Sequence, residues 1–283
     1  MTTKAVLLCG GLATRLLPIT KSIPKEMMPV LSKPAIEYCI EDLRNNGIKD
    51  ILIVLGRNKE VLENYFDKNI ELEQRLKDNN KLQELQSITA QYTDINVSFV
   101  RQIEAKGTGF ATSLAKNFVG NDSFILLYPD EILIGHSLSK QLIDVFHNTG
   151  KCVIPLKQIN IDECYKYGMV GIEKRNNLWI VNKFVEKPSI ENTPSNVCYT
   201  GGGLFTSDIF NYLENLPDHN GETYLTDTFD NLIAKNNLCG IEIKGTRLDI
   251  GSPLGLIKSN ILAGLSDKNL RNDLIDFIKS LEI

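Results

Sequence analysis

The chain has 283 residues, of which 42% are hydrophobic and 23% are charged, the composition of a folded protein with a sizeable core. Its 31 Lys and Arg residues against 35 Asp and Glu residues give a net charge of -4. This mild acidity argues against a protein that coats nucleic acid, although a local cluster of cations could still bind a phosphate-rich ligand.

Six cysteines are scattered along the chain, and none lies in a CxxC pair or at zinc-ligand spacing from a histidine. The N-terminal residues show no cleavage-site pattern, and no apolar run approaches the roughly 18 residues of a membrane span. The sequence therefore predicts a cytoplasmic protein with reduced cysteines, and neither a membrane nor a nucleic acid as its partner.

Short apolar runs alternate with amphipathic stretches along the chain. The apolar runs that predict buried strands lie at residues 5–9, 50–55, 97–100, 123–128 and 151–156. The patterns that predict helices lie at residues 34–46, 59–66, 71–92, from about 109, and at 138–148. This alternation predicts an α/β, Rossmann-like fold, with a mostly parallel mixed sheet and helices on both faces.

The second half of the chain has a different pattern. Short strand-like pieces separated by Gly and Pro predict a small α+β addition to the sheet between about residues 168 and 205. Residues 254–283 return to a helical pattern. Its apolar stripe consists of Leu270, Leu274, Phe277, Ile278 and Leu281. The stripe could cover the chain's own core or a second subunit, so a homo-oligomer remains an open alternative. We predict a single domain over residues 1–283.

The first apolar run ends in a glycine pair, Gly10 and Gly11. At the carboxyl end of a parallel strand, such a pair lets backbone N–H groups approach a ligand closely. Arg15 and Lys25 place two cations near the same end of the strand, and both side chains can bind phosphate oxygens. Neither GxxxxGK[ST] nor GxGxxG is present, which argues against a dinucleotide-binding oxidoreductase. The segment favours binding of a phosphate-bearing ligand.

The segment Gly-Gly-x-x-Thr-Arg-Leu-x-Pro, followed by Pro-Lys-x-Met-x-Pro, resembles the signature of the sugar-1-phosphate nucleotidyltransferases. Its Ile-Pro-Lys-Glu-Met form is similar to that of the bacterial UTP–glucose-1-phosphate uridylyltransferases. The likeness extends from Lys4 to about Lys258. It implies the nucleotide-diphospho-sugar transferase type of fold. It also implies transfer of a uridylyl group from UTP to glucose 1-phosphate, with Mg²⁺ as cofactor and pyrophosphate as second product.

Two acidic positions are candidates for binding the metal ion. Asp130 and Glu131 follow the predicted strand 123–128 on the ligand side of the sheet, where carboxylates either bind a divalent cation or lie in a solvated loop. Attack by one phosphate on another brings like charges together, and a metal ion neutralises them. By resemblance, Asp130 and Asp249 match the family's two metal-binding aspartates.

The resemblance also assigns the nucleotide and phosphate contacts. With Gly10 and Gly11, Gln102 and Gly107 would bind the nucleotide, because an amide that donates and accepts fits a pyrimidine edge. Arg15, Lys25 and Lys187 would be the catalytic cations: Arg15 on the leaving pyrophosphate, Lys25 and Lys187 on the α-phosphate and the sugar phosphate.

The sugar-binding set implied by the resemblance is Gly168, Glu186, Lys187 and Glu131, with Glu186 accepting hydrogen bonds from sugar hydroxyls. The segment 221–227, Gly-Glu-Thr-Tyr-Leu-Thr-Asp, is expected to be mainly structural, with Thr226 and Asp227 capping a helix over residues 228–235.

The sequence departs from the family pattern at several places, and four of them bear on the choice of base and sugar. They are Ala13 and Phe110, where Gly and His are usual, Glu131, where Asp is usual, and Gly201–Gly203, where Gly-Arg-Tyr is usual. These positions touch the base and sugar pockets. Another nucleoside triphosphate or sugar 1-phosphate therefore remains an alternative, as does a catalytically weakened regulatory paralogue.

Overall fold

The computed structural model describes residues 4–89, 94–175 and 178–281. The strands in these ranges are β1 (Lys4–Cys9), β2 (Pro29–Val30), β3 (Lys33–Pro34), β4 (Asp50–Leu55), β5 (Asn96–Arg101), β6 (Phe124–Leu127), β7 (Glu131–Ile134), β8 (Cys152–Gln158), β9 (Gly168–Arg175), β10 (Leu178–Glu186), β11 (Val197–Tyr199), β12 (Gly203–Phe205), β13 (Leu238–Glu242) and β14 (Thr246–Asp249).

The α-helices in the same ranges are α1 (Ala35–Asn45), α2 (Glu60–Phe66), α3 (Ile70–Asp78), α4 (Leu82–Thr89), α5 (Gly107–Ser113), α6 (Lys116–Val119), α7 (Leu138–Thr149), α8 (Ile209–Leu213), α9 (Phe229–Ala234), α10 (Pro253–Ser266) and α11 (Arg271–Ser280). None of the helices in the described ranges is long and apolar enough to cross a membrane.

Ten strands form one sheet in the order β11-β9-β10-β13-β8-β12-β6-β1-β4-β5. The segment β6-β1-β4-β5 is parallel throughout, as expected of strands joined by helical crossovers. In the other segment β8 and β13 are parallel, while β9, β10, β11 and β12 run antiparallel to their neighbours. The predicted α/β fold with a mixed sheet is confirmed, and the antiparallel strands coincide with the predicted addition.

Both faces of the sheet are covered, and β1 shows why its sequence is apolar at every position. Val6 and Leu8 pack into one core cluster together with residues of α5, α8 and α9. Ala5, Leu7 and Cys9 point to the other face and pack with residues of α1, α2 and α7. Alternate residues of a strand face opposite sides, so a central strand between two helical layers needs apolar residues throughout.

One predicted helix is two helices in the structure. Residues 71–92 were expected to be largely helical, but α3 ends at Asp78 and α4 begins at Leu82. Asn80 adopts a left-handed conformation with φ of 54°, which an α-helix cannot contain. Residues 90–92 of that prediction lie outside the described residues.

The C-terminal stripe is only partly covered. Leu274 and Ile278 on α11 are half-buried, whereas Leu270, Phe277 and Leu281 are exposed. Leu274 packs close to Gly264 on α10. The stripe therefore covers part of the chain's own surface and leaves part of its apolar area open.

Candidate active site

The carboxyl ends of four parallel strands meet at one edge of the sheet. Because neighbouring parallel strands end together, the segments after β1, β4, β5 and β6 adjoin one another there. A hydrogen bond from Gly56 N to Cys9 O, 3.4 Å long, ties the segment after β4 to the end of β1. The predicted nucleotide-binding residues lie at this edge.

Gly10 and Gln102 are in direct contact. A Cβ placed on Gly10 would lie 1.7 Å from Gln102 Nε2, so a larger residue at position 10 would displace this amide. Gln102 is buried, with 6% of its surface exposed, and its backbone N–H donates to Leu55 O at 2.8 Å. The structure thus brings two predicted nucleotide-binding residues together.

Gly107 begins α5 with φ of +84°. A Cβ placed there would lie 2.3 Å from Thr223 O, while Gly109 N donates to the same carbonyl at 2.8 Å. Thr223 N in turn donates to Lys106 O at 2.9 Å. The segment 221–227 therefore backs the loop that would approach the base, a structural role.

The predicted helix cap in this segment is wrong. Helix α9 begins at Phe229, and Thr228 before it provides no side-chain cap. Asp227 Oδ2 instead accepts from Tyr224 N at 3.2 Å and lies 3.0 Å from His219 Nε2. A short 3-10 turn over Leu225–Thr228 precedes α9, so Asp227 closes that turn rather than the helix.

A cavity of about 250 Å³ lies between the glycine-pair loop and the segment after β4. It is lined by residues 10–14 and by four cations, Lys21, Lys25, Arg57 and Lys59, among others. Among the described residues Lys21 and Arg57 have no ion-pair partner. Sequence reasoning missed both, although Arg57 follows a predicted strand closely enough to be suspected.

The remaining two cations of this cavity are already paired. Lys59 Nζ donates to both oxygens of Glu26 at 2.8 Å, and both side chains are buried. Lys25 Nζ contacts Asp130 Oδ2 at 2.6 Å. Burial lowers the pKa of Lys25, but Asp130 and Glu26 outweigh burial and raise the pKa above its usual value. Lys25 therefore keeps its charge at the mouth of the site.

Arg15, Asp130 and Asp249 converge on Gly251. A Cβ placed on Gly251 would lie 3.1 Å from Asp249 Oδ1, 3.6 Å from Asp130 Oδ2 and 4.0 Å from Arg15 Nη2. Gly251 N donates to Asp249 Oδ1 at 2.9 Å, and Ile250 N donates to Asp130 O at 3.1 Å. The two carboxylates predicted to bind metal are thereby held close to each other and to a cation.

These carboxylates fit a magnesium ion. Mg²⁺ in phosphoryl-transfer sites binds one or two carboxylates and takes its other ligands from water and substrate phosphates. Within the described parts of the chain, no cluster of three or more His, Cys, Asp or Glu side chains forms a complete cage. The pair Asp130 and Asp249 would supply the two protein carboxylates of such a substrate-completed site.

Glu131 points to a neighbour that the sequence did not suggest. Its Oε1 accepts from Arg247 Nη2 at 2.5 Å, and Arg247 Nη2 also lies 4.0 Å from Asp249 Oδ2. Burial raises the pKa of the Glu131 carboxyl, and the Arg247 guanidinium opposes that rise. Glu131 stays a predicted sugar-binding residue, and one of its two oxygens already accepts a hydrogen bond from Arg247.

The other predicted sugar-binding residues lie together on the hairpin of β9 and β10. Gly168 is directly opposite Glu186, and a Cβ on Gly168 would lie 3.0 Å from Glu186 Oε2. Lys187 has φ of 44°, donates its N–H to Tyr167 O at 3.1 Å, and brings its Nζ to 3.4 Å from Glu186 Oε1. Both side chains of this pair are exposed, so both can reach a ligand.

A model of the nucleotidyl transferase family matches residues 4–263. The chain belongs to the nucleotidyl transferase family. This nucleotidyl transferase is 40% identical to UTP--glucose-1-phosphate uridylyltransferase 1 of Staphylococcus saprophyticus, over 98% of each chain. It is 38% identical to a Staphylococcus epidermidis protein of the same activity name, over 99% of this chain and 98% of the other.

Solved structures agree with these relatives. The nucleotidyl transferase superposes on the UTP-bound UGPase from Acinetobacter baumannii with a TM-score of 0.92, 33% identity and full coverage of both chains. A UDP-glucose pyrophosphorylase complexed with UDP-glucose matches with a TM-score of 0.86 and 32% identity, over 94% of this chain and all of the other. The resemblance indicated by the signature segment is confirmed.

The three glycines at 201–203 have a packing reason in this nucleotidyl transferase. Their φ values are 98°, 73° and 153°. A Cβ on Gly201 would lie 2.8 Å from Tyr128 Cδ2, and one on Gly202 would lie 2.4 Å from Leu126 O. Tyr199 Oη donates to Gly202 O at 2.9 Å. This departure from the family pattern is therefore a tight turn that only glycine fits.

Proposed function

We propose that this nucleotidyl transferase joins UTP and glucose 1-phosphate to give UDP-glucose and pyrophosphate. The observation that carries the proposal is the convergence of Arg15, Asp130 and Asp249 on Gly251, at the sheet edge that holds the glycine pair. The activity names of relatives at 38–40% identity over nearly the whole chain support the choice of UTP and glucose 1-phosphate.

In the proposed reaction an oxygen of the sugar phosphate attacks the α-phosphorus of UTP in line. The new P–O bond forms as the bond between the α-phosphorus and its bridging oxygen breaks, and pyrophosphate leaves. Lys187 would hold the sugar phosphate, Lys25 the α-phosphate and Arg15 the leaving pyrophosphate. The chain supplies position and charge neutralisation, and no covalent intermediate is required.

Asp130 and Asp249 would hold Mg²⁺, which when bound neutralises charge on the phosphate oxygens. Lys25 now occupies Asp130 Oδ2 at 2.6 Å. A substrate phosphate offers Lys25 an alternative anion, and its arrival would release Asp130 for the metal. Lys25 thus keeps the carboxylate neutralised until the nucleotide is present.

For the base and the sugar we propose the remaining predicted contacts. Gln102 and Gly107 would read the uracil edge, with Gln102 held in place by its close contact with Gly10. Glu186 and Gly168 would face the glucose hydroxyls from the hairpin of β9 and β10.

We further propose that this is a single-domain enzyme of the cytoplasm. One ten-stranded sheet runs through the described residues, and all six cysteines are buried and unpaired, which suits a reducing compartment.

The test is pyrophosphate release with Mg²⁺ across four nucleoside triphosphates and several sugar 1-phosphates. The proposal expects a clear maximum at UTP with glucose 1-phosphate. A maximum at another pair would keep the mechanism and change the substrates, whereas no release from any pair by folded protein that binds UTP would favour a regulatory paralogue.

The roles of two residues are tested in the same assay. Arg15→Ala and Asp130→Ala should each lower turnover by orders of magnitude, about 10² or more, while circular dichroism shows an unchanged fold. Near-normal turnover in either variant would show that its role is assigned wrongly.

A further inference from the structure

Three charged side chains share one face of the two-stranded ribbon formed by β7 and β14. Glu131 lies directly opposite Asp249 in the antiparallel pairing, and Arg247 precedes Asp249 by two residues, on the same face. Arg247 Nη2 lies 2.5 Å from Glu131 Oε1 and 4.0 Å from Asp249 Oδ2. The guanidinium therefore forms a hydrogen bond with Glu131 but is too far from Asp249 to form one.

The pair of Glu131 and Arg247 is a poor stabiliser of the fold. Only 23% and 16% of the two side chains are exposed, so both charges lose much of their hydration. Glu131 Oε2 and Arg247 Nε are buried and form no hydrogen bond with any part of the chain that the structure describes. A buried ion pair with unmade hydrogen bonds contributes little stability, and apolar side chains of similar size often serve better.

The position of the pair suggests a different use. Asp249 is one of the two carboxylates proposed to hold the divalent cation, and Arg247 Nη2, 4.0 Å from Asp249 Oδ2, is close enough to compete with that cation. A shift of little more than 1 Å would bring the guanidinium into hydrogen-bonding range of Asp249, about 2.8 Å. The bond to Glu131 opposes that shift.

Arg247 also connects two parts of the site. Its guanidinium lies over the ring of Tyr167 at 5.8 Å from the centroid. Tyr167 O accepts the N–H of Lys187, the proposed ligand of the sugar phosphate. Arg247 therefore contacts both the ribbon that carries Asp249 and the residue whose carbonyl binds the backbone of Lys187.

We propose that Glu131 is a positioning residue that holds Arg247 away from Asp249, so that Asp249 stays open to the divalent cation. This inference rests on the proposed function, because it needs Asp249 to be a metal ligand. Glu131 acts through Arg247 and touches neither the metal nor the reacting phosphates.

The test measures Mn²⁺ binding by electron paramagnetic resonance, in the presence of UTP and without a sugar phosphate. Glu131→Gln replaces the ion pair with a weaker hydrogen bond to a neutral amide, so the always-charged guanidinium of Arg247 is held less strongly away from Asp249, and Mn²⁺ affinity should fall about tenfold. Adding Arg247→Met to that variant removes the competing charge, and affinity should return to within about threefold of wild type. Glu131→Asp keeps the charge and should lose less affinity than Glu131→Gln.

The measured affinities support or overturn the inference as follows. Unchanged Mn²⁺ affinity in Glu131→Gln overturns the inference, as does a double variant that binds no better than Glu131→Gln. If Glu131→Gln does not fold, Arg247→Met alone gives the answer: it should bind Mn²⁺ at least as tightly as wild type, and weaker binding refutes the inference. If Asp249→Asn leaves Mn²⁺ binding unchanged, the proposed metal site itself is wrong, and the inference falls with it.

Discussion

Arg57 lies in the 250 Å³ cavity beside the glycine pair and has no ion-pair partner among the described residues. An unpaired guanidinium in the same cavity as the glycine pair is a binding group for phosphate oxygens. We expect Arg57→Gln to lower kcat/KM for UTP about tenfold, with a larger loss at low salt, where exposed charges are less screened.

The measurement is steady-state kinetics with varied UTP at two salt concentrations. Arg75→Gln is the control, because Arg75 lies on the exposed surface of α3 and pairs only with Glu71 among the described residues. Equal kinetics for Arg57→Gln and Arg75→Gln would exclude Arg57 from nucleotide binding.

Ala13 adopts a left-handed conformation, with φ of 51° and ψ of 44°. This conformation costs a non-glycine residue about 1–2 kcal/mol. Ala13→Gly relieves that strain but adds freedom to the unfolded chain, so we expect the free energy of unfolding to rise by about 0.5–1 kcal/mol. Urea denaturation measures the change.

Ala234 provides the matched control for this substitution, because it is exposed and lies in helix α9. Ala234 is the last residue of that helix, so the same change to glycine should lower the free energy of unfolding by up to about 1 kcal/mol, the cost in a helix interior. The two substitutions should therefore have opposite signs, and a loss of stability in Ala13→Gly would contradict the strain argument.

At the scale of elements, the turn between β11 and β12 has two reasons to contain glycine: steric crowding and a positive φ. Substitutions can separate the two. Gly202 has φ of 73°, and an added Cβ would lie 2.4 Å from Leu126 O. We expect Gly202→Ala to lower the free energy of unfolding by about 3 kcal/mol or more, because strain and overpacking add.

Gly150, at the C-terminus of α7, is the control that measures the energetic cost of a positive φ without a steric contact. Its φ is 67°, and an added Cβ would meet nothing within 4 Å. Gly150→Ala should cost only about 1 kcal/mol. Chemical denaturation of both variants makes the comparison, and equal losses would show that contact with Leu126 is unimportant.

Elements that depend on local pattern were predictable, and pairings over long sequence distances were not. The strand at Asp50–Leu55 has the predicted bounds, because a buried strand consists of a continuous run of apolar residues that is visible in the sequence. The bond between Glu131 and Arg247 joins residues 116 positions apart, through the ladder of β7 and β14. Nothing in the local sequence specifies that ladder.

In the candidate site too, residues recognisable from the local sequence were predictable, whereas their long-range partners were not. The signature segment identified Gly10, Arg15 and Lys25, because the residue types themselves suit phosphate. The pairing of Lys25 with Asp130 and of Glu26 with Lys59 depends on where the segment packs, so sequence reasoning did not reveal it.

Across the whole molecule, the proposed nucleotide and sugar contacts lie on different segments of the sheet. The glycine-pair loop and Gln102 follow strands of the parallel segment, whereas Gly168 and Glu186 belong to the antiparallel hairpin. We expect UTP with Mg²⁺ to slow amide hydrogen exchange at residues 10–25 and 102–109. UDP-glucose should in addition slow exchange around residues 167 and 187.

Hydrogen exchange followed by mass spectrometry gives this map, with the exposed helix α3 as the region expected to stay unchanged. Protection of both segments by UTP alone would contradict the division of the sheet into a nucleotide part and a sugar part.

All six cysteines are buried, and burial raises the pKa of the thiols of Cys9 and Cys39. We therefore expect the native protein to react with a maleimide reagent as slowly as a protein without surface thiols. A single cysteine introduced at an exposed position such as Asp78 can be labelled selectively with a fluorophore, with all six natural cysteines left in place. The rate of slow labelling in the unaltered enzyme would in turn measure the rate of its global unfolding.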